Sequence, residues 1–566
     1  MIAVSDRWSK VCSICVAVVV CATGGPASAD EHHMPTFEKT RPKGERQSIP
    51  PLPDVRPSVP EVRFGDFRPL NSIDNFILAR IKKRRGHPRP VCGDADFARR
   101  ASLDLVGVIP TAADIRTYLR WKPAERRRKW VDLLLKQQQY ADHWTTFWGD
   151  LLRERGQTRG TPPNSLKRFL HNQLLRNRPY DEWVRALLTA TGKAADRPAT
   201  AFVLRDRADP NVLTVTVTQT FLGVQLKCAQ CHNHPFDWWE RKDFEGMAAF
   251  WRGTESHVYK RDTVFRRGRK VQIPYIAVRS RGGSARGTFL TGAASDAGRG
   301  RRGLADLVTR RDNPYFARVA VNRIWKKLMG TGLVDPPDSF GPRHPSSHPE
   351  LLDWLALEFI EHGYDLKHIL RLIANSRTYQ QTTVERLSRA ARRRPRAAPD
   401  GGDTGDEVLF DGMLLRRMTA EQFHDSILVA TGRYFPDDDR FKPSIQVTYP
   451  PDPRSFLRTF GCTDRQTLLP RSETGSIQQS LTLLNGALIN EAIKLHPAHP
   501  IRQWRDVRRF NARQIVDAVF VQFLTREPTG RERAAALRYV GAGHRDERWE
   551  DLQWALLNTR EFQFIR

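Results

Sequence analysis

Cys228-Ala229-Gln230-Cys231-His232 is the stretch of this sequence whose residue types and spacing carry definite chemistry. The pattern C-x-x-C-H is the attachment signature of c-type haem. Two sulfurs three residues apart lie on one side of a helical turn, where they can reach both vinyl groups of one porphyrin. His232 then sits under the iron as its proximal ligand. The same atoms admit other uses. Cys228, Cys231 and His234 could join a fourth ligand around structural zinc, the thiols could close a redox or structural disulfide, or the turn could simply pack.

A sixth iron ligand is not fixed by spacing. His234 is too near His232 to reach the opposite face of one iron, and Met247 and His257 are downstream candidates. An empty sixth position would suit ligand or peroxide chemistry, and a filled one electron transfer. Trp238, Trp239, Phe244, Phe250 and Trp251 follow the motif and could wall a haem or form an ordinary aromatic core. Elsewhere the chain lacks a G-x-x-x-x-G-K-[ST] phosphate loop, a G-x-S-x-G elbow and an H-E-x-x-H zinc helix. No catalytic set can be assigned.

The elements around the motif are mostly helical by periodicity. Apolar positions recur at helical spacing from Ser72, and a helix over Thr214–Lys227 would lead into the cysteines. The reading is mainly α, with two helical domains joined by a partly β, Gly/Arg-rich connector. Residues 69–255 form the first domain and carry C-x-x-C-H. Residues 256–298 form the connector, with a small hairpin, and 299–566 form the second domain, interrupted by a flexible linker at 384–407. Ser347-His348-Pro349-Glu350 reads as a capping box, as do Thr419 with Gln422 and Thr529 with Glu532.

Residues 1–29 read as a secretory signal: Arg7 and Lys10, an apolar run over Val11–Ala22, and Ala27-Ser28-Ala29 before the cut. Residues 30–68 are a Pro-rich linker. The expected location is outside the cytoplasm, secreted or periplasmic, with no transmembrane helix after cleavage. Cleavage leaves Cys92, Cys228, Cys231 and Cys462, which is too few for a disulfide scaffold.

The 566 residues hold 92 basic and 63 acidic side chains, a net charge of +29. Such a surface attracts polyanions through a salt-sensitive, sequence-independent term. Outside the cytoplasm the expected partners are acidic or sulfated glycans, an anionic envelope surface or an acidic redox partner, and not DNA.

Longer strings then carry a resemblance. Arg100-Ala101-Ser102-Leu103-Asp104-Leu105-Val106-Gly107-Val108-Ile109-Pro110 and the run Leu222–Asp237 open and close one motif set. Asp312-Asn313-Pro314-Tyr315-Phe316-Ala317-Arg318, Val321–Trp325, Ser347–Leu355, Leu483-Leu484-Asn485-Gly486 and Trp554–Phe562 make up a second. The chain resembles a family of secreted planctomycete proteins with two paired domains of unknown function, often accompanied by a planctomycete-type cytochrome c module. The resemblance implies secretion and a mainly helical fold. It implies little about activity. Residues 30–68 are too short for a separate cytochrome domain and hold no Cys, so any haem belongs at Cys228–His232. Two functions follow as expectations: a c-type haem redox protein, or a non-enzymatic binding module for envelope or polyanionic glycan with a structural Cys/His site. Asn322, Arg323 and His348 lie within the family-like strings and read as structural hydrogen-bonding residues.

Overall fold

The computed structural model describes residues 49–566 apart from 66, 159–160, 236, 267–268, 281–285, 297–298, 342, 388, 391–406, 435–440, 467–470, 472–474 and 542–544. The signal at 1–29, most of the Pro-rich linker and residues 391–406 of the expected flexible linker lie outside it.

Apolar residues at helical spacing produce the dominant elements: α1 (Ser72–Lys83), α2 (Asp94–Val106), α3 (Gln138–Leu151), α4 (Ser165–Leu175), α5 (Pro210–Leu222), α6 (Arg241–Ala249), α7 (Phe316–Met329), α8 (Pro349–Glu361), α9 (Leu366–Ala374), α10 (Ala420–Ala430), α11 (Ala512–Leu524), α12 (Gly530–Val540) and α13 (Asp546–Leu557). Further helices link them. The fold is mainly α, as the periodicity implies. No helix among the described residues is long and apolar enough to cross a membrane.

The connector is the main β feature. Thr254–Arg266 and Arg269–Ser280 pair as an antiparallel ribbon, and Gly192–Lys193 adds to the outer edge of the second strand. Smaller pairings hold chain ends together. Arg416–Arg417 lies antiparallel to Phe564–Ile565, so the C-terminus returns to the start of α10.

Two apolar cores result. The larger runs from Leu52 to Met413 and takes in helices on both sides of the connector. Helix α7 is buried on every side from Phe316 to Trp325 and is its central rod. The smaller core gathers Met418 to Ile565 and receives Leu103, Ile109 and Ala112 from the first part of the chain.

The family-like strings, together with Arg99 just before the first of them, act largely as fasteners. Arg99 donates to the carbonyls of Phe523 (2.9 Å) and Phe562 (2.8 Å), and Arg100 to those of Tyr379 (2.5 Å) and Arg566 (3.0 Å). Asn322 exchanges hydrogen bonds with the backbone of Val334 at 2.8 and 3.0 Å. Arg318 donates to the carbonyls of Pro50 and Pro51. This pins the described end of the Pro-rich segment, whose prolines supply free carbonyls but no N–H.

Two expectations need correction. Helix α5 stops at Leu222 instead of running to Lys227. Gly223 caps it in the left-handed region (φ +64°), and a Cβ there would lie 2.7 Å from the Phe340 ring and 2.9 Å from Val319. Ser347 and Glu350 do not form a capping box. Ser347 Oγ donates to the carbonyl of Leu333, and the N-cap residue of α8 is His348, without a side-chain cap. The boxes at Thr419 with Gln422 and Thr529 with Glu532 are formed.

Candidate functional site

The C-x-x-C-H turn sits on the surface. Lys227–Gln230 is one turn of 3-10 helix that carries Cys228, and Cys231 follows directly as its C-cap residue. Ala229 and Leu226 are buried and anchor the turn. Both cysteines are exposed free thiols. His232 is exposed too, and its Nδ1 lies 2.7 Å from the carbonyl of Asn233. A proton on Nδ1 donates there and leaves Nε2 as the bare nitrogen, the usual arrangement of a ligating imidazole. The Asn233 side chain accepts from the backbone N–H of Arg241, tying the turn to α6. His234 is half-buried. Burial lowers its pKa, Asp237 opposes this, and Arg343 and His232 reinforce it.

The donor chemistry of this turn fits a metal or a haem iron. The enclosure is less complete. None of Cys228, Cys231, His232 and His234 lines the three cavities that stand out among the described residues. Trp239, Phe244, Met247, Phe250 and Trp251 are buried in the larger core, which makes Met247 a packing residue. Asp237, Trp238 and Trp239 border a separate cavity of about 330 Å³ with Phe289, Tyr315 and Phe340.

Spacing gave no warning of a larger cleft. It encloses about 820 Å³ between α3, α5, α7, the start of α10 and the returning C-terminus. Helix α3 presents His143, Thr146, Phe147, Asp150 and Leu151; α5 presents Gln219 and Thr220; α7 presents Arg323, Lys326 and Lys327. Leu414–Arg417, Glu421, Arg471, Arg560 and Phe564 complete the wall. Seven Lys and Arg side chains face three carboxylates, those of Asp150, Asp338 and Glu421.

A charged network forms its floor. Arg471 donates to Asp150 Oδ2 at 2.5 and 2.8 Å and is ion-paired with Glu421, whose carboxylate also accepts from the Tyr449 hydroxyl. Arg465 donates to Asp150 Oδ1 at 2.8 Å, pairs with buried Glu154, and lies over the Tyr449 ring at 3.4 Å. Burial pushes the Glu421 carboxyl up, but the Arg471 charge and the hydrogen bonds from Arg471 and Tyr449 outweigh it and hold it below the ordinary carboxylate range. Arg323 is likewise committed, to Asp338 at 2.9 Å and to the carbonyls of Gln219 and Thr220.

Two cations in the wall are not committed in this way. Among the described residues, neither Lys327 nor Arg417 has a carboxylate partner within ion-pair distance. Burial lowers the Lys327 pKa to about 8, helped by Arg471 and Arg416 and opposed by Asp104 and Glu421. His143 is held neutral, first by burial and then by Lys327 and Arg471, against the pull of Glu421. Its Nε2 is shielded from solvent and has no hydrogen-bond partner among the described residues. Gly107 makes room for that imidazole, since a Cβ there would lie 2.5 Å from Nδ1. The cleft therefore combines uncompensated positive charge, a neutral imidazole and apolar walls, which is a chemistry for holding an anion.

With this geometry in view, the comparisons with known families are informative about layout. Residues 72–256 match the family model PSCyt2, a protein of unknown function (DUF1549). Residues 300–540 match the model PSD1, a protein of unknown function (DUF1553). The two matches stand in tandem. No curated protein and no solved structure matches the chain. The C-x-x-C-H turn falls within the PSCyt2 match. The cleft is shared: α3 and α5 come from the PSCyt2 segment and α7 and α10 from the PSD1 segment, with Arg560–Ile565 closing it from beyond the matched residues.

Proposed function

We propose that this protein is a secreted binding module whose inter-domain cleft takes an acidic or sulfated glycan segment. One observation carries the reading: Lys327 and Arg417 line a cleft of about 820 Å³ in which cations outnumber carboxylates, and among the described residues neither has a carboxylate within ion-pair distance. A sulfate or carboxylate group would supply that counter-charge, and Phe147, Leu151, Leu414 and Phe564 offer apolar contact to a sugar ring. A chain with net charge +29 would add long-range attraction. The signal-like residues 1–29 would place the protein where such polymers occur.

The test is salt-gradient elution of the mature chain from a sulfated-polysaccharide column. The double variant K327M/R417M should elute at clearly lower salt, while K82M/K83M, which removes two exposed charges from α1, should elute close to the parent. Equal shifts in both variants would reduce the binding to bulk charge and end the cleft assignment.

A second reading belongs to the exposed turn, favoured by the His232 Nδ1 contact with the Asn233 carbonyl. In it, Cys228 and Cys231 anchor haem c as thioethers and His232 ligates the iron through Nε2. Haem held there would supply one-electron exchange with a redox partner. Intact mass after expression in a host that matures c-type cytochromes decides the matter. One added haem, absent from C228A/C231A, supports it. An unmodified mass with bound zinc that C228A/C231A loses would assign the turn to Cys228, Cys231 and His234 as zinc ligands.

A further inference from the structure

Away from both sites, the end of α8 and the start of α9 bring three ligand-type side chains together. Glu358 lies on the last turn of α8, His362 follows that helix, and His368 lies on the first turn of α9. One donor atom from each falls within 4.8 Å of the others. Glu358 Oε1 is 2.8 Å from His368 Nε2 and 3.3 Å from His362 Nδ1. The two imidazoles lie nearly parallel, their centroids 3.8 Å apart at 9°.

The surrounding structure builds this grouping. Glu358 and His362 are four residues apart, so they share one helical face. Gly363 (φ +64°) and Tyr364 (φ +56°) reverse the chain in the left-handed region, returning His368 to the same face. Arg56 from the extended N-terminal segment holds the other oxygen of Glu358, lies over the Trp354 ring at 5.3 Å, and pairs with Glu361. That grip leaves Oε1 turned toward both rings. Glu358 is buried, whereas His362 remains accessible from solvent.

We infer that Glu358, His362 and His368 form a binding site for a divalent transition metal ion, with zinc the expected occupant. Tetrahedral zinc with bonds of about 2.0–2.1 Å sets its ligands roughly 3.3 Å apart. One pair in this cluster already has that spacing; on binding, the 2.8 Å pair opens by about 0.5 Å as the metal replaces the proton between Nε2 and Oε1, His362 Nδ1 gives up its 2.9 Å contact with the Glu358 carbonyl, and the stacked rings tilt so that both nitrogens aim at one ion. Two nitrogens and one carboxylate oxygen suit zinc, cobalt, nickel and copper better than calcium or magnesium. Three protein ligands leave a coordination position open on the solvent side. The Arg56 contact with Glu358 is the outer-shell support that orients such a ligand. Bound metal would clip α8 to α9 next to the anchored Pro-rich segment.

The experiment uses the mature chain carrying C228S/C231S, so that zinc at the exposed turn cannot be mistaken for zinc here. After dialysis against zinc and then metal-free buffer, one equivalent should remain, and cobalt in its place should give a visible d–d band. H362A/H368A in the same background should lose both signals with an unchanged far-ultraviolet circular dichroism spectrum. In the chain with both histidines intact, zinc should also protect His362 and His368 from diethyl pyrocarbonate, mapped by mass spectrometry. Zinc retained by H362A/H368A, zinc absent from the C228S/C231S chain, or modification of both histidines unaffected by zinc would each overturn the site.

Discussion

Glu421 shows what a buried carboxylate does when its partners outweigh its desolvation. Arg471 and Tyr449 both bond it. Glu421→Gln leaves Arg471 paired only with Asp150 and should cost about 3 kcal/mol in denaturant unfolding at pH 7. The sign of the pH effect follows from the carboxyl being held low in the folded state. The unfolded chain then binds the extra proton, so this stabilisation is complete above the unfolded value of about 4.3 and fades as pH falls. The gap between parent and E421Q midpoints should therefore stay level from pH 6 to about 5 and shrink below that toward pH 2, and a constant gap over the whole range would reject the assignment. Lys327 gives the matching test in the cleft. With its pKa lowered to about 8, its charge fades between pH 7 and 9, and binding of a sulfated oligosaccharide should weaken several-fold over that range. K327R should hold its affinity across it. At this scale the C-x-x-C-H turn was legible because all its atoms lie within five residues. The Asp150–Arg465–Arg471–Glu421 network was not, because its members are separated by up to 321 residues and only the fold brings them together.

Helix ends show the same division between local and distant causes. Thr529 and Glu532 satisfy each other's backbone groups within four residues, so the box could be read directly. Thr529→Ala should cost about 1 kcal/mol, seen as a lower midpoint of thermal unfolding. Ser347 failed as a cap because a distant carbonyl, that of Leu333, takes its hydroxyl. The overrun of α5 has a different origin. Val224 and Leu226 are buried and continue the apolar pattern after the backbone has turned at Gly223, so periodicity alone could not place the stop. Gly223→Ala meets both an unfavourable φ and the Phe340 and Val319 side chains. It should destabilise by about 2 kcal/mol or more and disturb the adjacent turn. Faster alkylation of Cys228 and Cys231 by a thiol reagent would report that disturbance, and an unchanged rate together with an unchanged midpoint would contradict the account of this glycine.

At the scale of the molecule, the sequence suggested helical blocks in series, and the class was right because helical periodicity is a local property. How the blocks join was hidden in single arginines. Helix α2 serves both cores: Phe97, Ala98, Ala101 and Leu105 pack into the larger and Leu103 into the smaller. Arg99 on the same helix donates to Phe523 and Phe562, more than 400 residues away. Unfolding the smaller core would leave that guanidinium, the Leu103 side chain and the Arg100 contact with Arg566 without partners. Each such exposed or orphaned group raises the free energy of a half-folded state, so the two cores should melt together. Tryptophan fluorescence and far-ultraviolet circular dichroism should give one coincident urea transition, since the fluorescence is weighted toward the larger core, which holds Trp130, Trp144, Trp148, Trp183 and Trp325 among others against Trp504 and Trp549 in the smaller, and helix content reports both. Arg99→Met removes charged donors from two buried carbonyls and should lower stability by about 3 kcal/mol. Because the lost bonds span the cores, it should also separate the two signals, with helix lost before the tryptophan change. A variant whose transitions stay coincident at an unchanged midpoint would show that apolar packing of α2, and not Arg99, couples the two halves.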